Sequence, residues 1–368
     1  MKRVCLVTYT GSPNYGAALQ LFATYKAIRD LNCSVSVINY QNKFESEKTG
    51  LKYLFSSASI KEKAREYISS YFFGVKKNSK RNFSEFYSQM DYTQKITSVD
   101  EIKKIDGYDV FCVGSDQVWN PRITDGFDDV FTLNSSDIPR KISYASSMGS
   151  CDFKGYSDKD FINAVEKFEY ISVRERIAKE YLESRTDKEI AQVVDPTFLL
   201  GYDQWNACIE NSESNSEAKE KYVLIYALGG YFEENKNVAV EIANRIGAKV
   251  YSITLSNRKK GVDRIITDAT PIDFVRYIRD ASFVVTNSFH GTCFSINLKV
   301  PFYSVRFGDN PARAEELLDM YGLSSRLYRH GNKIDETLLN NNDIIRAQES
   351  IDENARKSRE WLRKAIYE

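Results

Sequence analysis

The sequence predicts an α/β protein built from two Rossmann-like βαβ domains that face a cleft. Three observations carry that expectation. Short apolar runs of strand character alternate with segments whose apolar residues recur at helical spacing. A polar, weakly patterned stretch, NACIENSESNSEAKEK (206–221), interrupts the alternation and resumes it on its far side. At 368 residues the chain is also longer than one ordinary core serves.

The elements follow in order. RVCLVTY reads as a strand, TGSPNYG as a turn-rich loop, AALQLFATYKAIRDL as an amphipathic helix and CSVSVINY as a second strand, so the first forty residues form a right-handed β–α–β crossover. Residues of about 43–100, rich in Lys, Ser, Phe and Tyr, read as a helical insertion with a mobile basic loop near Lys76–Arg81. That run is solvated surface, or a contact for an anionic substrate or for membrane headgroups. DVFCVGSDQVWNP (109–121), RKISYASSMG (140–149), YISVRER (170–176) and IAQVVDP (190–196) supply further strands, with a helix near 159–168.

Beyond the polar stretch, KYVLIYALG, a helix through Val238–Ile246, KVYSITL, FVVTNS and PFYSVRF continue the pattern. Thr270 is placed to cap a helix whose first residue is Pro271. An amphipathic tail of roughly 345–367 predicts a final helix. The expected division is an N-terminal α/β domain at 1–205, a linker at 206–221, a C-terminal α/β domain at 222–344, and a helix at 345–368 that packs back on the N-terminal domain. Ligands of such sheets bind beyond the carboxyl ends of the strands. Six turns share that position: TGSPNYG, VGSDQVWNP, ASSMG, VRER, ALGG and TNSFHG.

Composition narrows the function. Lys+Arg and Asp+Glu both number 51, so the whole chain lacks a basic footprint for nucleic acid. The six cysteines form no CxxC pair and no zinc spacing, and are expected as buried thiols of a cytosolic protein. The N-terminal segment MKRVCLVTYTG is too short for a signal peptide, and no run of about 18 apolar residues reads as a membrane span. There is no GxxxxGK[ST], no GxGxxG after the first strand and no GxSxG. Asp128–Asp129 reads as an exposed turn, and no metal site is expected.

Two histidines occur in the chain, and His290 falls in the first turn of a helix just after strand FVVT, with Ser288 as its cap. Exposed backbone N–H groups there favour an anion, and the small Gly291 and Thr292 allow a ligand to approach. The alternative is a histidine that hydrogen-bonds a neighbouring strand. Arg306 and Arg313 follow the next strand, and Arg174 and Arg176 follow YISV. Arginines on loops bordering one cleft point to a ligand with more than one negative charge. Asp116, in GSDQ, is a candidate general base or a turn-capping residue. Tyr15 and Trp119 offer aromatic faces suited to sugar rings, although Trp119 packing beneath its own loop fits equally well.

NYGAALQLFA (14–23), VGSDQVWNP (113–121), KISYASSMG (141–149), ISVRER (171–176), VVDPTFLL (193–200) and VVTNSFHGTCFSINLKVPF (284–302), in that order, resemble the polysaccharide pyruvyl transferase family. The resemblance implies a fold like the B-type glycosyltransferases, phosphoenolpyruvate as co-substrate with no other cofactor, and a sugar acceptor on a polysaccharide or lipid-linked precursor of capsule or exopolysaccharide. The product is a cyclic pyruvate ketal. The family's His–Gly maps onto His290 and Gly291. Many members carry Arg-Leu before that histidine, where this chain has Ser288-Phe289, so Arg306 or Arg313 must supply the missing charge.

The resulting site has His290 and Asp116 as catalytic groups, and Ser288, Gly291, Thr292, Arg174, Arg306 and Arg313 on the donor side. Asn14, Tyr15, Gly16, Gln117 and Trp119 lie on the acceptor side. The protein is expected in the cytoplasm, at the inner face of the membrane where the acceptor is lipid-borne, without nucleic-acid partners. A nucleotide-sugar glycosyltransferase of the same architecture and a non-catalytic glycan-binding relative are the alternatives.

Overall fold

The computed structural model describes residues 1–40, 42, 77–135, 138–149, 151, 153, 155–212, 220–229, 231–255, 261–306 and 312–368. Among these residues the chain divides into two compact units. The first takes the chain up to Leu199, apart from Lys77–Phe86, and the tail from Asn354. The second takes Leu200–Glu353 and Lys77–Phe86.

The first unit is a seven-stranded parallel sheet. Its strands are β1 (Arg3–Val7), β2 (Ser34–Asn39), β3 (Tyr92–Lys95), β4 (Val110–Val113), β5 (Lys141–Ser146), β6 (Tyr170–Val173) and β7 (Ile190–Gln192), in the order β3-β2-β1-β4-β5-β6-β7. Every pair is parallel, so the inner strands are buried on both faces and read as unbroken apolar runs. VCLV of β1 and VFCV of β4 are wholly buried. Helix α1 (Tyr15–Asp30) begins where the Asn14 side chain accepts from the Ala17 N–H, and buries most of its length.

Helix α2 (Lys77–Tyr87) corrects the expected basic loop: 77–81 form its opening turns, while Lys76 lies outside the described residues. Hydrogen bonds from Ser79 Oγ to the Thr267 carbonyl and from Asn82 Nδ2 to the Asp268 carbonyl, at 2.5 Å in the latter case, hold it to the second unit's chain. Within the expected helical insertion, 77–87 is helical and 92–95 is edge strand β3; residues 43–76 lie outside the described residues. Helices α3 (Pro121–Thr124), α4 (Lys159–Val165) and α5 (Arg176–Glu183) complete this unit's connections.

The second unit is a six-stranded parallel sheet. Helix α6 (Tyr202–Glu210) precedes β8 (Tyr222–Tyr226), α7 (Phe232–Ile246), β9 (Lys249–Ile253), β10 (Arg264–Ile266), α8 (Pro271–Arg279), β11 (Phe283–Thr286), α9 (Phe289–Asn297), β12 (Phe302–Arg306), α10 (Ala312–Met320) and β13 (Leu327–Arg329). The strand order is β10-β9-β8-β11-β12-β13. Thr270 and Asp273 form a reciprocal capping box at α8, with Pro271 in the first turn as its fixed φ favours. Residues 206–210 of the expected linker lie inside α6, where Trp205 packs fully buried against Phe294, and 213–219 lie outside the described residues.

The final helix, α11 (Asn342–Tyr367), starts in the second unit and ends in the first. Its start is fixed by Arg326, which is fully buried and donates to Asp343 and to the carbonyls of Phe302, Leu338 and Asn340. Its end returns to the N-terminal unit. Ser358 Oγ accepts from Val194 N–H at 3.1 Å, Arg140 donates to the Ala365 carbonyl at 3.0 Å, and the Tyr367 hydroxyl donates to the Leu31 carbonyl at 2.7 Å.

Candidate functional site

Each sheet reverses its strand order once, between β1 and β4 in the first unit and between β8 and β11 in the second. At such a reversal the chain leaves neighbouring strands in opposite directions, which opens a crevice beyond their carboxyl ends. The loops and helix starts there carry most of the candidate residues.

In the second unit, Asn287 clasps the loop that follows β8. Its Oδ1 accepts from Leu228 N–H at 2.8 Å and its Nδ2 donates to the Leu228 carbonyl at 3.0 Å. Thr286 Oγ1 donates to the Tyr226 carbonyl and accepts from Ser288 N–H, tying the end of β11 to β8. Ser288 then caps α9 by accepting from Gly291 N–H at 3.3 Å. His290, the second residue of α9, is 8% exposed and stands edge-on to Phe289. The Arg313 guanidinium lies over the Phe289 ring, 5.5 Å from its centre, and so beside the same helix start. Helix α7, which also starts at this reversal, carries Glu233 and Glu234 in its first turn, whereas α9 carries no acid there. Of the two helix starts, α9 is the one whose field an anion complements.

Gly291 and Thr292 also have a packing role. A Cβ on Gly291 would come 2.4 Å from Thr286 Oγ1, so glycine lets α9 close onto β11. The Thr292 hydroxyl is buried and bonded to the Ser288 carbonyl and to Ser304 Oγ. Arg306 is half-buried and paired with Glu315 of α10.

In the first unit, Asp116 stands at the start of the loop after β4 with φ of 72°, a left-handed backbone uncommon outside glycine. Its carbonyl accepts from Ser147 N–H at 3.0 Å and Val118 N–H at 2.8 Å, and its Oδ1 accepts from Gln117 N–H at 2.8 Å. The approach of Ser147 depends on a bulge in β5. Register slips between Ser143 and Ser146, Ala145 has φ of 52°, and the Ser143 and Ser172 hydroxyls supply the bonds that the ladder loses there.

Ser147 Oγ donates to Glu175 Oε1 at 2.7 Å; the same oxygen accepts from Arg174 Nε at 2.9 Å, and Arg174 NH1 reaches Asp195 Oδ2 at 2.9 Å. Burial disfavours the Arg174 charge, but Glu175, Asp195 and the nearby Asp116 outweigh it and hold the guanidinium protonated. Arg174 therefore organises buried carboxylates, while Arg176 at the start of α5 is exposed and faces Glu180. Glu175, Asp195 and Ser147 carry no local signal of this role; Asp195 lies in the VVDP run, but nothing near it in sequence ties it to Arg174.

Trp119 is a correction. Its indole is fully buried against Phe161 and Phe168, and its N–H donates to the Phe131 carbonyl at 2.9 Å, so the ring is core and closed to a sugar. Tyr15 is likewise 1% exposed, and Gly16 is buried within α1. Asn14 is exposed while it caps that helix. Gln117 Oε1 accepts from Asn120 Nδ2 at 2.8 Å. Asp128 is no free turn residue either, because it accepts from the Tyr40 hydroxyl and from Val130 N–H. Among the described residues, no cluster of three or more His, Cys, Asp or Glu side chains is arranged to hold a metal ion, and no helix is long and apolar enough to cross a membrane.

Residues 14–309 match the sequence profile of the family described as polysaccharide pyruvyl transferase. No curated protein matches the chain. Among solved structures, the UDP-GlcNAc 2-epimerase of Neisseria meningitidis bound to UDP-GlcNAc is 9% identical with a TM-score of 0.53, over 100% of this chain and 99% of that one. The UDP-GlcNAc 2-epimerase of Methanocaldococcus jannaschii, in complex with UDP-GlcNAc and UDP, is 15% identical with a TM-score of 0.50, over 96% and 93% of the two chains. E. coli ADP-heptose lps heptosyltransferase II is 9% identical with a TM-score of 0.39, over 95% and 98%. At these identities the likeness to the two epimerases is one of fold.

Proposed function

The chain belongs to the polysaccharide pyruvyl transferase family, a family of transferases, and from that premise we propose that it moves pyruvate from phosphoenolpyruvate onto two hydroxyls of a sugar, closing a cyclic ketal on a polysaccharide or lipid-linked precursor. The observation that carries the reading is His290 in the first turn of α9, at the strand reversal, with the Arg313 guanidinium against its neighbour Phe289. Phosphoenolpyruvate carries a phosphate and a carboxylate, which calls for a helix start free of acid and for arginines.

The reaction requires a proton on the enol C3 of the donor, which leaves an oxocarbenium-like centre at C2. One sugar hydroxyl attacks C2, the C2–O bond to phosphate breaks, and the second hydroxyl closes the ring. Two hydroxyl protons are released; one balances the proton gained at C3 and the other leaves with phosphate. His290 is the group we assign to proton transfer at the donor or to its phosphate, and Arg313 to the donor's charge. On the acceptor side we assign Asp116 as the base that takes a hydroxyl proton, with Asn14 as a hydroxyl contact. Where the acceptor is lipid-borne, the protein works at the inner face of a membrane.

The test is incubation of the purified protein with phosphoenolpyruvate and a soluble or lipid-linked oligosaccharide. The expected product gains pyruvate less water and releases one phosphate per ketal. Stabilisation against heat by nucleotide-sugars but not by phosphoenolpyruvate, with no ketal formed, overturns the reading in favour of a glycosyltransferase.

A further inference from the structure

Arg306 and Arg329 end the adjacent strands β12 and β13 and are register partners. Neighbouring strands lie about 4.8 Å apart, so two guanidinium groups leave the carboxyl edge of this sheet side by side, where like charges repel. One oxygen reconciles them. Glu315 Oε1, from α10, is bound by Arg306 NH1 and, at 3.1 Å, by Arg329 NH2. Two cations thus share a single carboxylate, and the group keeps one positive charge.

The exposure of these groups decides what they can do. The side chains of Arg306, Arg329 and Glu315 are 31%, 56% and 23% exposed. Water reaches all three groups, most of all Arg329, so these pairs are held less firmly than buried ones. The Arg174 pairs, whose side chains are 1–3% exposed, have no such freedom. The Arg306 end of β12 lies beside the end of β11, since Thr286 pairs with Ser304 two residues before Arg306. This edge therefore leads directly to Ser288 and His290.

We propose that Arg306 and Arg329 form a carboxylate subsite that Glu315 fills until substrate arrives, and that the donor's carboxylate displaces Glu315 and takes both guanidinium groups. A carboxylate is the group the two arginines already hold, and the planar fork of arginine suits it. The phosphate is left to the start of α9. The inference rests on the donor reading given above, and it adds Arg329 and Glu315 to the residues that act on the donor.

The experiment compares the parent protein, Glu315→Gln and Arg329→Gln by calorimetry with phosphoenolpyruvate, lactate and inorganic phosphate, and by melting without ligand. Glu315→Gln should melt lower when unliganded and bind phosphoenolpyruvate and lactate up to about fivefold more tightly, the scale of one exposed ion pair. Arg329→Gln should bind both about tenfold or more weakly, as expected for a lost charged hydrogen bond. Neither change should alter inorganic phosphate affinity by as much. Equal affinities of all three proteins for phosphoenolpyruvate and lactate overturn the subsite, and so does a change confined to inorganic phosphate. Arg329→Gln keeps the test valid if Glu315→Gln fails to fold. The two readings fail separately: if ketal forms while the affinities stay equal, only the subsite is wrong. If the affinities shift as expected and no ketal forms from phosphoenolpyruvate, the donor reading is wrong.

Discussion

A Cβ placed on Gly291 would stand 2.4 Å from Thr286 Oγ1 and 3.1 Å from Thr286 Cβ, so the His290–Gly291 pair joins a candidate catalytic residue to a packing constraint. Thr286 cannot retreat, because its hydroxyl holds the Tyr226 carbonyl and Ser288 N–H. Gly291→Ala should therefore cost about 1–3 kcal/mol of stability, the scale of overpacking. Adding Thr286→Ala should return part of that loss in a double-mutant cycle read by denaturant unfolding. Additive losses would mean that the two residues do not press on each other.

Trp119 makes the opposite case, a residue with functional appearance that belongs to the core. Trp119→Phe removes the N–H that serves the buried Phe131 carbonyl, at a cost of about 1–3 kcal/mol. Acceptor KM should not move. A raised acceptor KM with an unchanged melting temperature would return the ring to the sugar site.

Asp116 combines a carboxylate with a left-handed backbone, so the two can be separated. Asp116→Gly removes the acid and fits φ of 72° without strain, whereas Asp116→Ala keeps the strain. Glycine should leave the melting temperature near the parent's and lower turnover by about 10²–10⁴, the range for one acid–base group. Parent-level turnover in Asp116→Gly would make Asp116 a turn residue only.

What was readable in the sequence was local. Thr270–Pro271 and Ser288 announce helix starts because a cap is made within three residues of itself. The central strands announce themselves because parallel strands buried on both faces are apolar throughout. β3, β10 and β13 are hard to read because edge strands of three or four residues are too short to carry a distinctive apolar run. Helix α5 escaped because its charged face hides the buried Ala178 and Leu182. The candidate site divides in the same way. His290 could be placed from the strand before it, but the burial of Trp119 depends on Phe161 and Phe168, and the commitment of Arg174 depends on Asp195. Those partners arrive through the fold.

Lys141 gives a dependence on pH. It is buried at the start of β5, with Nζ donating to the carbonyls of Leu133 and Ser135. Burial, aided by Lys167, pulls it from the ordinary 10.5 down to about 8. Between those values the unfolded chain holds a proton that the folded chain has lost, so stability rises with pH across that window. Below about pH 8 both forms are charged and the folded state bears the burial cost. The melting temperature of the parent relative to Lys141→Met should therefore increase from pH 7 to pH 10. A difference that stays flat would show that Lys141 titrates like an exposed lysine.

His290 and Arg313 flank Phe289 yet should fail in different ways. Because His290 is 8% exposed, alanine would leave a void, and His290→Gln is the cleaner change. It should melt near the parent while ketal formation falls by about 10²–10⁴. Arg313→Gln should act mainly through donor affinity, by about 1.5–3 kcal/mol for a charge-assisted bond. Phosphate release and ketal formation measured together, across donor concentration, separate a loss of kcat at His290 from a rise of donor KM at Arg313. If His290→Gln turns over phosphoenolpyruvate at the parent rate, the histidine is part of the packing at the start of α9, and the proton at the enol carbon comes from elsewhere.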